Sequence, residues 1–453
     1  MNIDFKTLNK NSITNVTSKN SFGEVFTPQL LIEEMLDLLP KGIWKDGNKK
    51  WLDPAAGVGN FHALVFKRLM EGLEDLIPNE KNRAKHIIET MLYFVEIQEK
   101  NVAIINQIFN PENDYKLNLF CGDFCGLNMY DFKVYEFDIV LGNPPYQDML
   151  TNNIRKAKNH NLWTTFIELG FKILNPYGYL LYVTPQAWMS PSSKVLQNIF
   201  LSYQLHFVNI GECSKYFKGV GSQFSYYLIE KTKTYKKTTF LYEFKGGTFI
   251  KNLQGISDYR LNKNIKFIPQ IPIKEAFTIF EKTVFSSNLK YAVQYDSDLH
   301  RFTKKEYLAD SESKQHVYKT LHTPTQIVWS NKPHKNQDKI KLFIPLTTYY
   351  ENLIIDTCGN TQGLGYIIFE NFESAEKVKY ILSKKLYRFI ANITRWSNFN
   401  VPMVMKCLPL LPQDIEPTDE SIYKHFNLND FEIELIENSL RPNRYEQLAL
   451  AYL

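Results

Sequence analysis

The sequence predicts an α/β protein, with a seven-stranded sheet domain over residues 21–232 and an α+β region after it. Three observations predict this. Short apolar runs alternate with helical patterns from Trp51 to Lys231, the rhythm of a sheet built from βα units. The first four runs all end in polar or aromatic chemistry, which places that chemistry at one edge of the sheet, where open α/β sheets bind ligands. After Lys231-Thr232-Lys233-Thr234-Tyr235-Lys236-Lys237 the βα rhythm stops, and prolines punctuate short strands and helices.

The chain has 453 residues, enough for two or three domains at about 150 residues each. Hydrophobic residues make up 44% of it, which suffices for globular cores. There is no apolar run long enough to span a bilayer and no charged-then-apolar leader, so a soluble, cytoplasmic protein is expected. The five cysteines (Cys121, Cys125, Cys213, Cys358, Cys407) and nine scattered histidines form no ligand pattern, so free thiols and no metal are expected. Net charge is +5 but unevenly spread. Residues 233–410 carry 27 Lys+Arg against 15 Asp+Glu, and residues 411–453 carry 3 against 9. A near-neutral first half, a basic middle and an acidic tail predict a catalytic domain followed by a polyanion-binding one.

Residues 1–20 are polar and read as a loose arm. Thr27 is a candidate N-cap, with Pro28 opening a helix from Gln29 to Leu39. Lys50–Asp53 is the first strand. It enters Pro54-Ala55-Ala56-Gly57-Val58-Gly59-Asn60-Phe61 and then a helix through Met70. A strand, a turn with two glycines and a helix is the opening unit of a nucleotide-binding sheet. Met91–Glu96 is the second strand. Its terminal acid stands where such folds grip ribose hydroxyls. Lys100–Phe109 is helical. The third strand, from Leu117, ends in Asp123-Phe124, an acceptor for an amino group and a ring to pack on a base. The fourth, Phe137–Leu141, ends in Gly142-Asn143-Pro144-Pro145-Tyr146.

That last turn has distinctive chemistry. Two prolines lock φ and remove two N–H donors, which leaves a stiff turn with free carbonyls. Asn143 adds a side-chain carbonyl and Tyr146 an aromatic face. Asn143 Oδ1 and the Pro144 C=O can take both hydrogens of an exocyclic amino group while Tyr146 stacks on its ring.

Residues 147–160, with Arg155, Lys156 and Lys158, read equally as a substrate lid or a loose loop. Trp163–Leu174 is a helix ended by Asn175-Pro176. Gly178–Pro185 is strand five, Ser192–Tyr203 a helix, Leu205–Ile210 strand six and Gln223–Lys231 strand seven. Tyr216 and Phe217 lie on a loop between the last two. Beyond the boundary, strands are expected at Thr239–Phe244, Lys341–Leu346 and Tyr366–Phe369. Helices are expected at Ile273–Phe280, Ala375–Tyr380, Lys384–Ile393 and Phe431–Ser439. Arg395 and Trp396, in Ile393–Asn400, suit base edges and phosphates, and Trp396 and Phe399 equally suit a small core.

Taken together, Phe-Thr-Pro, Asp-Pro-x-x-Gly-x-Gly-x-Phe, an acid after strand two, Gly-Asp-Phe and Asn-Pro-Pro-Tyr, in that order, resemble the gamma-class N6-adenine DNA methyltransferases of restriction–modification systems. The resemblance covers residues 21–232 and weakens from 233 onward. It implies a Rossmann-like fold using S-adenosyl-L-methionine, with the last of seven strands antiparallel. It also implies a target recognition domain at 233–410, closed by an acidic helical cap at 411–453. Carried over residue by residue, Thr27 and the turn with Asp53, Pro54, Ala55, Gly57, Gly59 and Phe61 hold the methionine moiety. Glu96 holds the ribose, and Asp123 and Phe124 the adenine. Asn143, Pro144, Pro145 and Tyr146 hold the target base, with Phe217 as a second stacking ring and Tyr216 competing for that place. Arg155, Lys156, Lys158, Arg395 and Trp396 are the DNA-contact candidates.

The implied partner is double-stranded DNA, with room for a separate cognate restriction endonuclease, for a monomer or weak dimer, and for a nucleoid-associated setting. Asn-Pro-Pro-Tyr also occurs in methyltransferases that act on RNA or on protein glutamine. A cofactor-sensing DNA-binding module is the reading from another class. The arm before residue 21 is too short for a nuclease domain.

Overall fold

The computed structural model describes residues 27–127, 132–146, 161–217, 223–233, 236–286, 289–346, 350–396, 400 and 402–442. The expected arm at 1–20, the Phe22–Phe26 stretch, Arg155, Lys156, Lys158 and Phe399 lie outside the described residues. The chain folds as two compact units. The first runs through Trp188 and adds Lys194–Leu241 and Asp258–Lys263. The second takes Met189–Ser193, Tyr242–Ser257 and the chain from Asn264 on.

The first unit is built on a twisted sheet. β1 (Trp51–Asp53), β2 (Leu92–Glu96), β3 (Asn118–Cys121), β4 (Phe137–Gly142) and β5 (Leu174–Pro185) are parallel to one another. β7 (Phe224–Glu230) inserts antiparallel between β5 and β6 (Gln204–Ile210), which gives the order β3-β2-β1-β4-β5-β7-β6. The order continues through β8 (Thr238–Phe244) and β9 (Leu253–Tyr259), each of which is divided between the two units. The central strands are apolar because helices cover both faces. Every residue of β1 and β2 is buried, as are five of the six in β4.

Helices α1 (Gln29–Leu36), α2 (Asn60–Gly72), α3 (Glu80–His86), α4 (Glu99–Phe109) and α5 (Leu162–Lys172) belong to this unit. α2 buries Phe61, Leu64, Val65 and Leu69, and α4 buries Ile105, Ile108 and Phe109, in one core with Trp51, Phe94 and Leu141. Beyond α2, α3 and a π-helical turn at Ile87–Met91 fill the long connection from β1 to β2.

Three local expectations change. Pro28, with ψ 146°, is itself the cap position of α1, and no side chain caps that helix, so Thr27 stands one residue further out. β5 begins at Leu174 rather than Gly178. Its pairing with β4 shifts register between Phe137 and Ile139, which accommodates Pro176 and a left-handed Tyr177 (φ 64°). The helix expected over Ser192–Tyr203 is shorter, beginning at Lys194 and running as a π-helix over Leu196–Phe200.

The second unit is α+β. One sheet has the order β10-β12-β11-β15, from Leu308–Ala309, Gln326–Ser330, Tyr318–Thr323 and Gly359–Asn360. The other has the order β14-β13-β16, from Ile354–Asp356, Ile340–Pro345 and Leu364–Phe369. Its helices include α6 (Lys274–Lys282), α7 (Phe372–Leu382), α8 (Lys385–Ile393), α9 (Asp419–His425) and α10 (Asp430–Ser439). Asn429 starts α10 with a full capping box. Its side chain accepts from Glu432 N–H (3.0 Å), and Glu432 returns a bond to its backbone N–H (2.8 Å).

Candidate active site

The carboxyl ends of β1 to β4 meet around one cleft of about 970 Å³, counting its part open to solvent. Each strand end contributes a different chemistry.

At the end of β1 the chain turns through Pro54–Gly59. Ala56 N–H bonds to Val95 C=O (2.9 Å) and Gly59 N–H to Ala56 C=O (2.8 Å), which curls the turn tightly. Gly57 (φ 55°) and Gly59 (φ 91°) are both left-handed, and a Cβ on Gly59 would stand 3.0 Å from the Phe109 ring. Glycine at both places follows from that backbone. Pro54, Ala55, Gly57 and Phe61 line the cleft. Asp53 and Gly59 do not border it among the described residues. Asp53 is 1% exposed, and its Oδ1 accepts Ala55 N–H (3.1 Å). A Cβ on Gly142 (φ 144°) would come within 2.7 Å of the same oxygen. Asp53 therefore braces the turn after β1 against the end of β4. Burial, with a smaller contribution from the Glu96 charge, pushes its carboxyl up to about 8, against the opposing Ala55 hydrogen bond.

Glu96 ends β2 buried. Its Oε2 accepts Gly57 N–H (2.8 Å), and its Oε1 accepts Gln98 N–H (2.8 Å) and Asn101 Nδ2 (3.4 Å). These bonds fix the plane of the carboxylate, and Glu96 lines the cleft. Beyond β3, Asp123 faces the cleft with Oδ1 held by Cys125 N–H (2.9 Å). Phe124 is buried, with its ring 5.1 Å from that of Phe166 on α5.

β4 delivers Asn143, Pro144, Pro145 and Tyr146 to the opposite wall. The Tyr146 hydroxyl donates to Asn143 Oδ1 (2.5 Å), and its ring lies 5.2 Å from Phe224. Burial holds that phenol well above its usual range, so it stays a donor. Phe217 is 4% exposed and stacks behind Phe224 at 4.6 Å. It therefore backs Tyr146 through Phe224 and shows no open face. Tyr216 donates to Glu34 instead, so it is engaged elsewhere.

Thr27, though not a cap, lines the cleft. Residues missed from sequence are Ile97 and Gln98, next to the β2 acid, Asn60 at the start of α2, and Leu162 and Phe166 on α5. The 162/166 spacing is one helical turn, the only signal that could have paired those two. In the second unit, Trp396 is 3% exposed, donates Nε1–H to Ile268 C=O (3.1 Å) and packs 5.6 Å from Phe267. Of its two readings, the core one holds, because a ring so enclosed offers no face to a base. Arg395 donates to the Asn400 side chain (2.9 Å).

The cleft tests well against S-adenosylmethionine on its own features. It has an anchored acid for hydroxyls, an aromatic pair at a polar rim, and a glycine turn that lets backbone approach closely.

Comparison with known proteins bears on the same region. The chain is 24% identical over 261 residues to an uncharacterized adenine-specific methylase of Mycoplasma pneumoniae, covering 42% of this chain and 61% of that protein. It is 23% identical over 216 residues to the type II restriction enzyme and methyltransferase RM.Eco57I of Escherichia coli, covering 34% of this chain and 22% of that one. The chain thus spans less than two thirds of either relative. Among solved structures, the type IIL restriction-modification enzyme MmeI in complex with DNA superposes with a TM-score of 0.59 at 11% identity. That match covers 97% of this chain and 79% of the other, and at such identity it establishes a shared fold. Residues 62–217, the segment that carries most of this cleft, match the Eco57I restriction-modification methylase family.

Proposed function

We propose that the protein is an S-adenosylmethionine-dependent DNA methyltransferase that modifies the N6 amino group of adenine in double-stranded DNA, as the modification activity of a restriction–modification system. The observation that carries this reading is the position of Asn143–Tyr146 on the wall facing Glu96 and Asp123 in one cleft. A planar amino group held by Asn143 and the Pro144 carbonyl would then share one cleft with a cofactor held by Glu96 and Asp123.

Glu96 would hold the ribose hydroxyls, and Asp123 with Phe124 and Phe166 the adenine. Thr27 and the Ala55–Gly57 turn would hold the amino-acid end. When bound, the cofactor supplies an electrophilic sulfonium methyl. The chain's own residues do the rest by positioning. A target adenine cannot be reached inside a duplex, so it is flipped out at a cost of about a few kcal/mol. Stacking on the Tyr146 ring, itself backed by Phe224, offsets this by roughly 1–3 kcal/mol. Asn143 Oδ1 accepts from the Tyr146 hydroxyl, and an amide oxygen has two lone pairs, so it would accept one amino hydrogen of the target base. The Pro144 carbonyl takes the other. Both acceptors concentrate the nitrogen lone pair toward the methyl group. Asn143 is an acceptor here and not a base.

Asn143→Ala is therefore expected to lower turnover by about 100-fold or more, while equilibrium binding of the cofactor stays near the wild-type value. Near-normal turnover in that variant would refute the assignment.

A further inference from the structure

In the second unit two loops, 296–307 and 331–335, are tied together. Asn331 N–H donates to Tyr307 C=O (3.0 Å), Asn331 Nδ2 to Glu306 C=O (3.3 Å), and Lys335 N–H to Asp298 Oδ2 (3.1 Å). Residues 296–307 and 331–335 carry five Lys and Arg against two Asp and one Glu, and Asp296 and Asp298 lie below the turn, where they take part in its bonding.

On the first loop Phe302 is 67% exposed. It is not exposed through looseness. His300 Nδ1 accepts the N–H groups of both Phe302 and Thr303 (3.2 Å each), and Lys304 N–H returns to His300 C=O (2.9 Å). Arg301 N–H is held by Gln362 Oε1 (3.0 Å). Below the turn, Lys304 Nζ donates to Asp298 C=O (3.1 Å), and Asp298 N–H donates to Asp296 (3.2 Å). Asp296 in turn accepts the Tyr366 hydroxyl (2.7 Å) and lies 3.2 Å from buried His334. A turn so well bonded holds a large apolar ring in water and forgoes the gain of burying it. Holding it there pre-organises the ring for a partner.

The chemistry around the ring names that partner. Lys305 is exposed beside it. Lys335 is exposed, 3.3 Å from Asp296, and Lys332 lies 4.1 Å over the Tyr307 ring. An exposed ring among cations suits bases flanked by phosphates. Phe431 is 71% exposed but follows Asp430 in a segment, residues 411–453, with 3 Lys and Arg against 9 Asp and Glu, where phosphates are repelled.

We propose that these paired loops are a DNA-contact surface of the second unit, with Phe302 meeting the bases and Lys305, Lys332 and Lys335 the phosphates. The proposal rests on the DNA reading above and assigns contacts that reading leaves open.

The test is fluorescence anisotropy of the full chain with a fluorescein-labelled random-sequence DNA duplex, and with an RNA duplex in parallel, across a salt series. Phe302→Ala is expected to weaken DNA binding about tenfold, while Phe431→Ala leaves it unchanged. Lys305→Ala is expected to lower the slope of log affinity against log salt by about one. Equal binding by Phe302→Ala and Phe431→Ala overturns the proposal, as does an unchanged salt slope for Lys305→Ala. Preference of the wild-type chain for the RNA duplex, or no binding to either, overturns it too. Binding is read without methyl transfer. A protein that binds DNA through Phe302 yet never methylates it would therefore refute the proposed function and leave this surface standing.

Discussion

Glu96 shows how much one side chain does in this cleft. Its carboxylate both anchors the glycine turn, through Gly57 N–H, and faces the cleft. Glu96→Ala is expected to weaken cofactor binding by roughly 10- to 100-fold, because hydrogen bonds to a charged group are lost and the turn loses its tether. Isothermal titration with the cofactor checks this, and unchanged affinity would contradict the ribose role. Residues such as Glu96, Asp123 and Asn143 were legible in the sequence because polar chemistry at the end of an apolar strand needs a reason. Gln98, Leu162 and Phe166 were not legible. They are ordinary residues on ordinary helical or turn positions, and only the fold brings them to the cleft. Trp396 was ambiguous for a related reason, since a tryptophan beside an arginine reads alike whether it stacks on a base or fills a core.

At the scale of elements, β1, α2 and β4 share a buried pair of titratable groups. Asp53 sits at the end of β1 against β4. His62 lies in α2, with its ring 4.4 Å from that of Phe94 and its Nε2 3.3 Å from Trp51 C=O. Burial raises Asp53 from 3.8 to about 8 and lowers His62 from 6.5 to about 4. Asp53 folds in its protonated form, so its contribution to stability is whole below about pH 4 and is lost as pH rises toward 8. His62 folds neutral, so its contribution is whole above about pH 6.5 and is lost as pH falls toward 4. The two oppose each other between those limits. From pH 6.5 to 8 Asp53 acts alone and costs the wild-type fold about 2 kcal/mol. Asp53→Asn keeps the bond from Ala55 N–H and removes the titration. Urea unfolding across that window is expected to show the loss in the wild type and not in the variant. An unchanged slope in the variant would contradict the neutral, bracing role of Asp53. The element boundaries themselves were well read where apolar periodicity was strong, as in β2, β4 and α4. The start of β5 was misplaced, because Pro176 lies inside a bulged strand, and the hairpin β11–β12 was not read, although it buries Leu321 and Val328.

At the scale of the whole chain, the uneven charge suggested a change near residue 232, and the chain divides into two units interleaved in sequence, the second unit with its own sheets and helices. The sequence could not place the contact surface proposed for that unit. Charge is legible as a count over a span, whereas a surface depends on which loops the fold ties together. No helix among the described residues is long and apolar enough to cross a membrane. The central claim concerns what the cleft acts on. The most direct measurement incubates the purified chain with tritiated S-adenosylmethionine and unmethylated duplex DNA, total RNA and protein extract in parallel, then identifies the labelled product. The account predicts label in the DNA alone, recovered as N6-methyladenine. Label confined to RNA or protein, or label in DNA on a base other than adenine, would contradict it.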